Sequence, residues 1–298
     1  MIKETSFDHG DLRFHCLTAG DPAAPLLLFL HGFPEYSGAW TEMLARLSDQ
    51  FFCVAPDQRG YGRSSKPAKV SDYAAGKLAA DAAAALEHFA PAGAARAVIG
   101  HDWGASVAYA LAFSRPRLME RLIILNGAHP IPFQRALAAG GAQSAASQYF
   151  HYLRDERAEA RLSADGYARL EQLFADGMDL AWLSGARRAA YMEAWSRPGA
   201  LNGMLNWYRA TPLQVADPGA PLAPERLIPF NPARLRVKMP HLLVWGAGDT
   251  ALLPEASAGL EVLCDRLTRV SIEDADHWLH HQKPDEVAAL IAGFCLTD

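Results

Sequence analysis

The residues at positions 100–104, with the sequence Gly-His-Asp-Trp-Gly, have the composition and spacing that most directly indicate chemistry in this chain. They follow the apolar run at residues 97–99, and the pattern predicts a strand, a sharp turn between two glycines and a helix beginning near Ala105. Such a turn presents the central residue of G-x-S-x-G as a nucleophile, and here that residue is Asp102. A serine attacks acyl carbon, whereas a carboxylate suits displacement at saturated carbon and leaves an alkyl ester on the enzyme.

Two further residues with acid–base chemistry follow strand-like segments downstream. Asp249 lies in the loop after residues 241–245, and His277 follows the alternating segment at residues 267–272. The order along the chain is therefore nucleophile, acid and base. Because the carboxyl ends of parallel strands meet at one edge of an open α/β sheet, we expect Asp102, Asp249 and His277 to lie together there. An aspartate that only caps a helix would not require such partners.

The first part of the chain alternates between strand-like and helix-like segments. We predict a hairpin over residues 2–17 with its turn at residues 8–11, a helix at residues 73–89, and strands at residues 26–30, 51–55, 96–100 and 121–125. The run at residues 26–30 is apolar throughout, as expected of a parallel strand buried on both faces. His31-Gly32-Phe33-Pro34 follows it directly.

A different pattern begins after residue 128. From Phe133 to Tyr208 we predict helical segments and no strand, and prolines then interrupt the chain between residues 212 and 232. The predicted fold class is α/β, with a mostly parallel central sheet flanked by helices and an inserted helical cap. We predict a first core part at residues 1–128, the cap at residues 129–225 and a second core part at residues 226–298.

Six segments carry a family pattern in order along the chain: residues 31–35 (HGFPE), 57–65 (DQRGYGRSS), 100–105 (GHDWGA), 206–209 (NWYR), the Asp249 loop and residues 276–278 (DHW). With these segments the chain resembles the epoxide hydrolase branch of the α/β-hydrolase family over nearly all of its length. Haloalkane and fluoroacetate dehalogenases are related members that share the aspartate. The resemblance implies the α/β-hydrolase fold and the opening of an epoxide to a 1,2-diol through an ester on Asp102.

The resemblance also implies roles for individual residues. Two tyrosines of the cap are expected to protonate the epoxide oxygen: Tyr208 and Tyr149, with Tyr152 left open as the alternative to Tyr149. A neutral phenol suits this task because its proton is available at neutral pH. His277 is expected to activate the water that hydrolyses the ester, and Asp249 to orient His277.

Four residues are expected to contact the substrate: Phe33, Trp103, Tyr152 and Trp278. The backbone N–H groups of Phe33 and Trp103 are also placed to form an oxyanion hole. A cis peptide bond before Pro34 is expected from the family.

Four other functions are weighed against epoxide hydrolysis. A haloalkane dehalogenase usually has a second halide donor, but Phe33 has no side-chain donor. Asn126 follows a strand and is a candidate substitute, although some dehalogenases have their acid at that position. A fluoroacetate dehalogenase needs arginines beside the nucleophile, where this chain has Trp103 and Ala105. A binding protein without catalysis would have no need of an aligned nucleophile, base and acid. A serine esterase is excluded because no serine occupies the predicted turn.

Composition is consistent with a globular enzyme. The 298 residues are 50% hydrophobic and carry a net charge of −5 without a basic cluster, so we expect no nucleic-acid partner. No apolar run reaches the length of a membrane span, and the first residues have no signal-peptide core, so a cytoplasmic location and no membrane partner are expected. A small apolar epoxide and water are the expected reactants, and a homodimer is left open.

Four other histidines and the four cysteines are interpreted as structural. His31 and His101 are expected to bond loop backbone. His280 and His281 have no acidic or cysteine partner at metal-ligand spacing, so surface or packing roles are expected for them. Asp276 is interpreted as a loop-capping residue. The four cysteines have no C-x-x-C spacing and are interpreted as core thiols, so we expect no metal and no cofactor.

Overall fold

A computed structural model describes residues 1–90 and 93–297 of the chain. Its strands form one eight-stranded sheet in the order β1-β2-β4-β3-β5-β6-β7-β8. The strands are β1 (Lys3–His9), β2 (Leu12–Ala19), β3 (Leu26–Leu30), β4 (Phe52–Pro56), β5 (Ala97–His101), β6 (Leu122–Leu125), β7 (Val237–Gly246) and β8 (Cys264–Ile272).

The pairing of the strands follows from their composition. The strands β3, β5 and β6 are buried at every residue and run parallel to their neighbours in the middle of the sheet. An apolar strand of this kind needs cover on both faces, which helices on both sides of the sheet provide. The half-exposed β1 pairs antiparallel with β2 at the edge, and the turn lies where the sequence predicted it.

The last two strands are longer than predicted. β7 begins at Val237 and continues through Pro240, and its pairing with β8 shifts register between these two residues. A proline cannot donate to the ladder, and a local irregularity accommodates it within the strand. β8 begins at Cys264, three residues before the predicted segment at residues 267–272.

The helices flank this sheet and fill the segment between β6 and β7. Residues 133–208 contain helices and no named strand, as predicted from the sequence. The α helices among the described residues are α1 (Thr41–Leu47), α2 (Ala75–Phe89), α3 (Trp103–Ser114), α4 (Pro130–Ala138), α5 (Ala142–Ala146), α6 (Tyr149–Arg154), α7 (Ala158–Ala175), α8 (Gly185–Ser196), α9 (Ala200–Ala210), α10 (Leu279–Gln282) and α11 (Pro284–Leu296).

Two helices of this segment have identifiable local signals. α4 begins with Pro130, whose missing N–H costs nothing at the first helical position, and the His129 side chain accepts the backbone N–H of Ile131. α7 is kinked at residues 164–167, where Asp165, Gly166 and Tyr167 have positive φ.

The sheet separates two apolar cores. One core contains side chains of α2, α3 and the helices between β6 and β7, and it includes Leu28, Val98 and Ile124 of the sheet. The other core lies against α1 and α11 on the opposite face and includes Leu27 and Ile99. The four cysteines are buried free thiols, as predicted. Across the described residues, none of the helices combines the length and apolar character needed to span a membrane.

Candidate active site

The proposed nucleophile lies at the sharp turn between β5 and α3. Asp102 has φ 51° and ψ −120°, which is a strained conformation for a residue with a side chain. The turn requires glycine at position 104, because a Cβ there would lie 2.0 Å from the carbonyl oxygen of Leu30. α3 begins at Trp103, two residues earlier than expected. The strand, turn and helix therefore hold the Asp102 carboxylate above the end of the sheet.

The loop after β3 supplies the first contact to this carboxylate. The backbone N–H of Phe33 donates a 2.8 Å hydrogen bond to Asp102 Oδ1, and the backbone N–H groups of Phe33 and Trp103 both act to lower the pKa of this carboxyl. Gly32 allows this approach, since a Cβ there would lie 2.3 Å from Asp102 Cβ. The peptide bond between Phe33 and Pro34 is cis, as expected. These two donors are the pair expected for the oxyanion hole.

The predicted acid and base meet the nucleophile at the same sheet edge. His277 Nδ1 lies 2.8 Å from Asp249 Oδ2, and His277 Nε2 lies 3.7 Å from Asp102 Oδ2. Since a carboxylate only accepts hydrogen bonds, Nδ1 carries a proton and Nε2 faces the nucleophile. The 3.7 Å separation is too long for a hydrogen bond. Asp102 therefore has one oxygen, Oδ1, bound by the Phe33 N–H group, and a second oxygen, Oδ2, that faces the imidazole without a hydrogen bond to it.

Asp249 lies in the loop after β7, and four donors bind its carboxylate. The backbone N–H groups of Ala251 and Leu252 each donate to Oδ1 over 2.8 Å, and Asn126 Nδ2 donates to Oδ2 over 2.6 Å. The His277 imidazole is the fourth. Asn126 was considered from the sequence as a halide donor, but its amide is directed at Asp249 and is not among the residues that line the active-site cavity.

The charges of the three residues influence each other. Burial raises the pKa of the Asp102 carboxyl, and the imidazole of His277 is the largest influence in the opposite direction. Burial also opposes a charge on His277, but the carboxylates of Asp249 and Asp102 outweigh it and raise the pKa of His277 to about 9. Burial works against the Asp249 carboxylate, yet His277 holds its pKa below the ordinary value. The carboxyl groups of Asp249 and Asp102 therefore favour the protonated form of His277 in the free site.

Two of the candidate tyrosines lie with Asp102 and His277 around a cavity of about 60 Å³. Tyr149 begins α6 and Tyr208 lies near the end of α9, and their ring centroids are 6.1 Å apart. Burial and the charge of Asp102 raise the pKa of both phenols, with Tyr149 adding to the effect on Tyr208. Both phenols are therefore neutral at neutral pH and able to donate.

The structure does not bring the four expected substrate contacts together in one cavity. Phe33 and Trp278 line the same cavity, whereas the side chain of Trp103 lines a separate apolar cavity of about 250 Å³. Tyr152 lines neither cavity, and the Arg161 guanidinium lies 5.6 Å from its ring centroid. Because Tyr152 lies three residues after Tyr149 on one short helix, its position in the sequence could not decide between the two.

A buried cluster centred on Glu35 was not found from the sequence. His281 Nε2 and the Tyr191 hydroxyl donate to Glu35 Oε1 over 2.8 and 3.0 Å, and His101 Nδ1 lies 3.1 Å from Oε2. Burial works against this carboxylate, but the neighbouring histidines, led by His280, hold the pKa of Glu35 well below its ordinary value. The sequence shows no acidic partner at metal-ligand spacing for His280 and His281, but the fold brings Glu35 Oε1 within 3.4 and 2.8 Å of their Nε2 atoms. Both histidines are buried, which agrees with the packing role that was one of the two expected. In the sequence, the one indication of this cluster was an acidic residue, Glu35, at the end of the segment at residues 31–35.

His101 and Asp276, which were also interpreted as structural, each hydrogen-bond a backbone group. His101 Nε2 donates to the carbonyl of His277 over 2.8 Å, and Asp276 Oδ1 accepts the backbone N–H of Trp278. Glu35, His101 and His280 place ligand atoms within 4.8 Å of one another, a spacing that could hold a metal ion. Since Glu35 Oε1 already accepts two hydrogen bonds, we assign this cluster to holding the loop.

The amino-acid sequence of this chain is similar to those of known proteins. The family described as alpha/beta hydrolase fold matches residues 25–284. The chain is 33% identical to the AB hydrolase superfamily protein YfhM of Bacillus subtilis, over 94% of this chain and 93% of that protein. It is 31% identical to epoxide hydrolase 4 of Mus musculus, over 95% of this chain and 76% of that protein. The chain belongs to the epoxide hydrolase branch of the alpha/beta hydrolase family.

Solved structures are also similar to this alpha/beta hydrolase. An epoxide hydrolase from metagenomes of hot environments has a TM-score of 0.89 and 34% identity, covering 100% of this chain and 99% of that one. The epoxide hydrolase of Bacillus megaterium, solved with an inhibitor, has a TM-score of 0.87 and 27% identity, covering 98% of this chain and 100% of that one. The predicted fold class is confirmed.

Proposed function

We propose that this enzyme opens an epoxide to a 1,2-diol through a covalent alkyl ester on Asp102. One observation carries the proposal: Asp102 Oδ1 accepts a backbone N–H, while Oδ2 faces a cavity lined by Tyr149, Tyr208 and His277. A carboxylate nucleophile, two phenol donors and a base are the groups that ring opening and ester hydrolysis need. The relatives named epoxide hydrolases support the same substrate class.

The first step joins the substrate to the enzyme. Asp102 Oδ2 attacks a ring carbon, the bond between that carbon and the ring oxygen breaks, and the oxygen takes a proton from Tyr149 or Tyr208. An alkoxide is a poor leaving group, so the proton must be delivered as the bond breaks. The products of this step are a hydroxyalkyl ester on Asp102 and a tyrosinate.

Ester formation prepares His277 for the second step. The neutral ester removes one of the two negative charges that raise the pKa of His277, so this pKa falls. The imidazolium then returns a proton to the tyrosinate and becomes a neutral base. The charge of Asp102 therefore determines when His277 can act.

The second step releases the diol. Water adds to Cγ of the Asp102 ester as His277 Nε2 takes its proton, and the oxyanion forms on Oδ1 beside the N–H groups of Phe33 and Trp103. The bond from Cγ to the alkyl oxygen then breaks as this oxygen takes the proton of the hydroxyl group that water added to Cγ, which yields the diol, the Asp102 carboxylate and the imidazolium. Asp249 keeps His277 oriented throughout.

The same proposal includes the division of the chain. The core comprises residues 1–128 and 226–298 and supplies Asp102, Asp249 and His277. The cap segment, residues 129–225, supplies Tyr149 and Tyr208. The helices α4 to α9 between β6 and β7 support these boundaries.

Product analysis with the unmodified enzyme tests the activity. We expect a simple aryl or alkyl epoxide to be converted to its 1,2-diol, and chloro- and fluoroalkanes to release no halide. Asp102→Ala should abolish diol formation while leaving the circular dichroism spectrum unchanged. Halide release without diol formation would indicate a dehalogenase, and turnover of neither substrate would indicate a binding protein.

A further inference from the structure

Helix α8 of the cap segment contacts the loop that provides the Phe33 N–H group. Tyr191 and Trp195 lie four residues apart, so they share one face of the helix, and both are buried. Trp195 Nε1 donates to the carbonyl of Pro34 over 2.6 Å, and the Tyr191 hydroxyl donates to Glu35 Oε1 over 3.0 Å. These contacts hold the two residues that directly follow Phe33.

The same loop is connected to the base. Glu35 Oε2 lies 3.1 Å from His101 Nδ1, and His101 Nε2 donates to the carbonyl of His277 over 2.8 Å. His281 Nε2 donates to Glu35 Oε1, the oxygen that also accepts the Tyr191 hydroxyl. The Glu35 carboxylate therefore joins α8 to the backbone of His277 through a single histidine.

The groups needed for ring opening are carried by other helices. Tyr149 lies on α6 and Tyr208 on α9. Accepting a proton from either phenol does not require the Phe33 N–H group, because Asp102 Oδ1 loses negative charge as the ester forms. Ester hydrolysis does require it, because the oxyanion develops on Oδ1.

We propose that α8 is the positioning element for ester hydrolysis, with Tyr191 and Trp195 as positioning residues that act through Pro34 and Glu35. This inference rests on the proposed function. The cap then divides its tasks: α6 and α9 supply protons for ring opening, and α8 keeps the Phe33 N–H group and His277 in place for attack of water on Cγ.

Two conservative variants separate the steps. Trp195→Phe and Tyr191→Phe each remove a hydrogen-bond donor and keep an aromatic ring in place. With enzyme in excess over a simple epoxide, quenched samples analysed by intact mass give the rates at which the Asp102 ester appears and disappears. We expect ester formation within about twofold of the unmodified rate, and ester hydrolysis slower by on the order of tenfold, the factor expected for one lost hydrogen bond.

Tyr109→Phe is the matched control. Like Tyr191, Tyr109 is fully buried and has a hydrogen-bonded hydroxyl, which lies 2.9 Å from His241 Nε2. This hydroxyl does not bond the loop after β3. This variant should lower the unfolding temperature without changing the ratio of the two rates. Should Trp195→Phe fail to fold, Tyr191→Phe, which removes a single oxygen atom, carries the test.

The experiment distinguishes failure of the inference about α8 from failure of the proposed function. If the unmodified enzyme forms the ester, and both folded variants hydrolyse it at the unmodified rate, α8 has only a structural role and this inference is overturned. If neither the unmodified enzyme nor His277→Gln forms an ester on Asp102, the proposed function itself fails.

Discussion

In the proposed mechanism, Asp102 determines the chemistry because its two carboxylate oxygens have different surroundings. Oδ1 accepts the Phe33 N–H group, whereas Oδ2 lies 3.7 Å from His277 Nε2 and makes no hydrogen bond with it. The bound oxygen is suited to carrying the oxyanion, and the free oxygen to attack. A serine in the same turn would have a single oxygen and could not divide these tasks.

The proton donors give a prediction at the level of single residues. Tyr208→Phe should slow ester formation by on the order of a hundredfold, the typical cost of removing one donor to a developing oxyanion. Single-turnover kinetics with an epoxide measure this rate. Tyr149→Phe should also slow it, while Tyr152→Phe should leave it unchanged because Tyr152 does not line the cavity. Unchanged ester formation in Tyr208→Phe would remove this tyrosine from the mechanism.

At the level of elements, the turn between β5 and α3 depends on a close approach to β3. A methyl group at position 104 would lie 2.0 Å from the backbone oxygen of Leu30, which cannot move aside as a side chain could. Gly104→Ala should therefore lower the free energy of unfolding by roughly 2 kcal/mol or more, as overpacking does. Chemical denaturation measures this difference.

Gly293 provides the matched control for that substitution. It lies within α11, and a Cβ there would meet no atom within 4 Å. Gly293→Ala should raise the free energy of unfolding by about 0.5–1 kcal/mol, because alanine loses less backbone freedom in a helix. Equal effects at the two positions would contradict this account of the turn.

The sequence was sufficient to predict the elements that position the site. Buried strands followed directly by polar residues predicted that Asp102, Asp249 and His277 meet at one sheet edge, because that pattern is local. The cluster around Glu35 was beyond such reasoning, since Tyr191 and His281 are 156 and 246 residues away in sequence. The choice between Tyr149 and Tyr152 likewise depends on how the cap segment packs, which no local pattern contains.

At the level of the whole molecule, buried neutral histidines make stability depend on pH. His241 Nδ1 donates to the carbonyl of Leu122, so its Nε2 accepts the Tyr109 hydroxyl. Burial lowers the pKa of His241 to about 4, and that of His129 likewise to about 4. Between about pH 4 and pH 6.5, both side chains are neutral in the folded enzyme, whereas the same two histidines bind protons in the unfolded chain.

The low pKa values of these two histidines make the folded enzyme less stable in acid. The unfolded histidines bind protons below about pH 6.5 and the folded ones only near pH 4, so the free energy of unfolding falls as pH decreases through this interval. Each histidine contributes roughly 3 kcal/mol to the fall. Urea unfolding between pH 7 and pH 4 should show a smaller fall in His241→Gln than in the unmodified enzyme. An identical pH dependence in the two proteins would contradict the assignment.

The proposed mechanism depends on a covalent ester on Asp102, and the intact mass of His277→Gln detects that ester. This variant retains Asp102 and both tyrosines but lacks the base for hydrolysis, so the ester should accumulate when an epoxide is added. Ring opening expels nothing, and we predict a mass increase equal to that of the whole epoxide, with peptide mapping locating it on Asp102. A mass increase on another residue, or none while the unmodified enzyme still forms diol, would contradict the account.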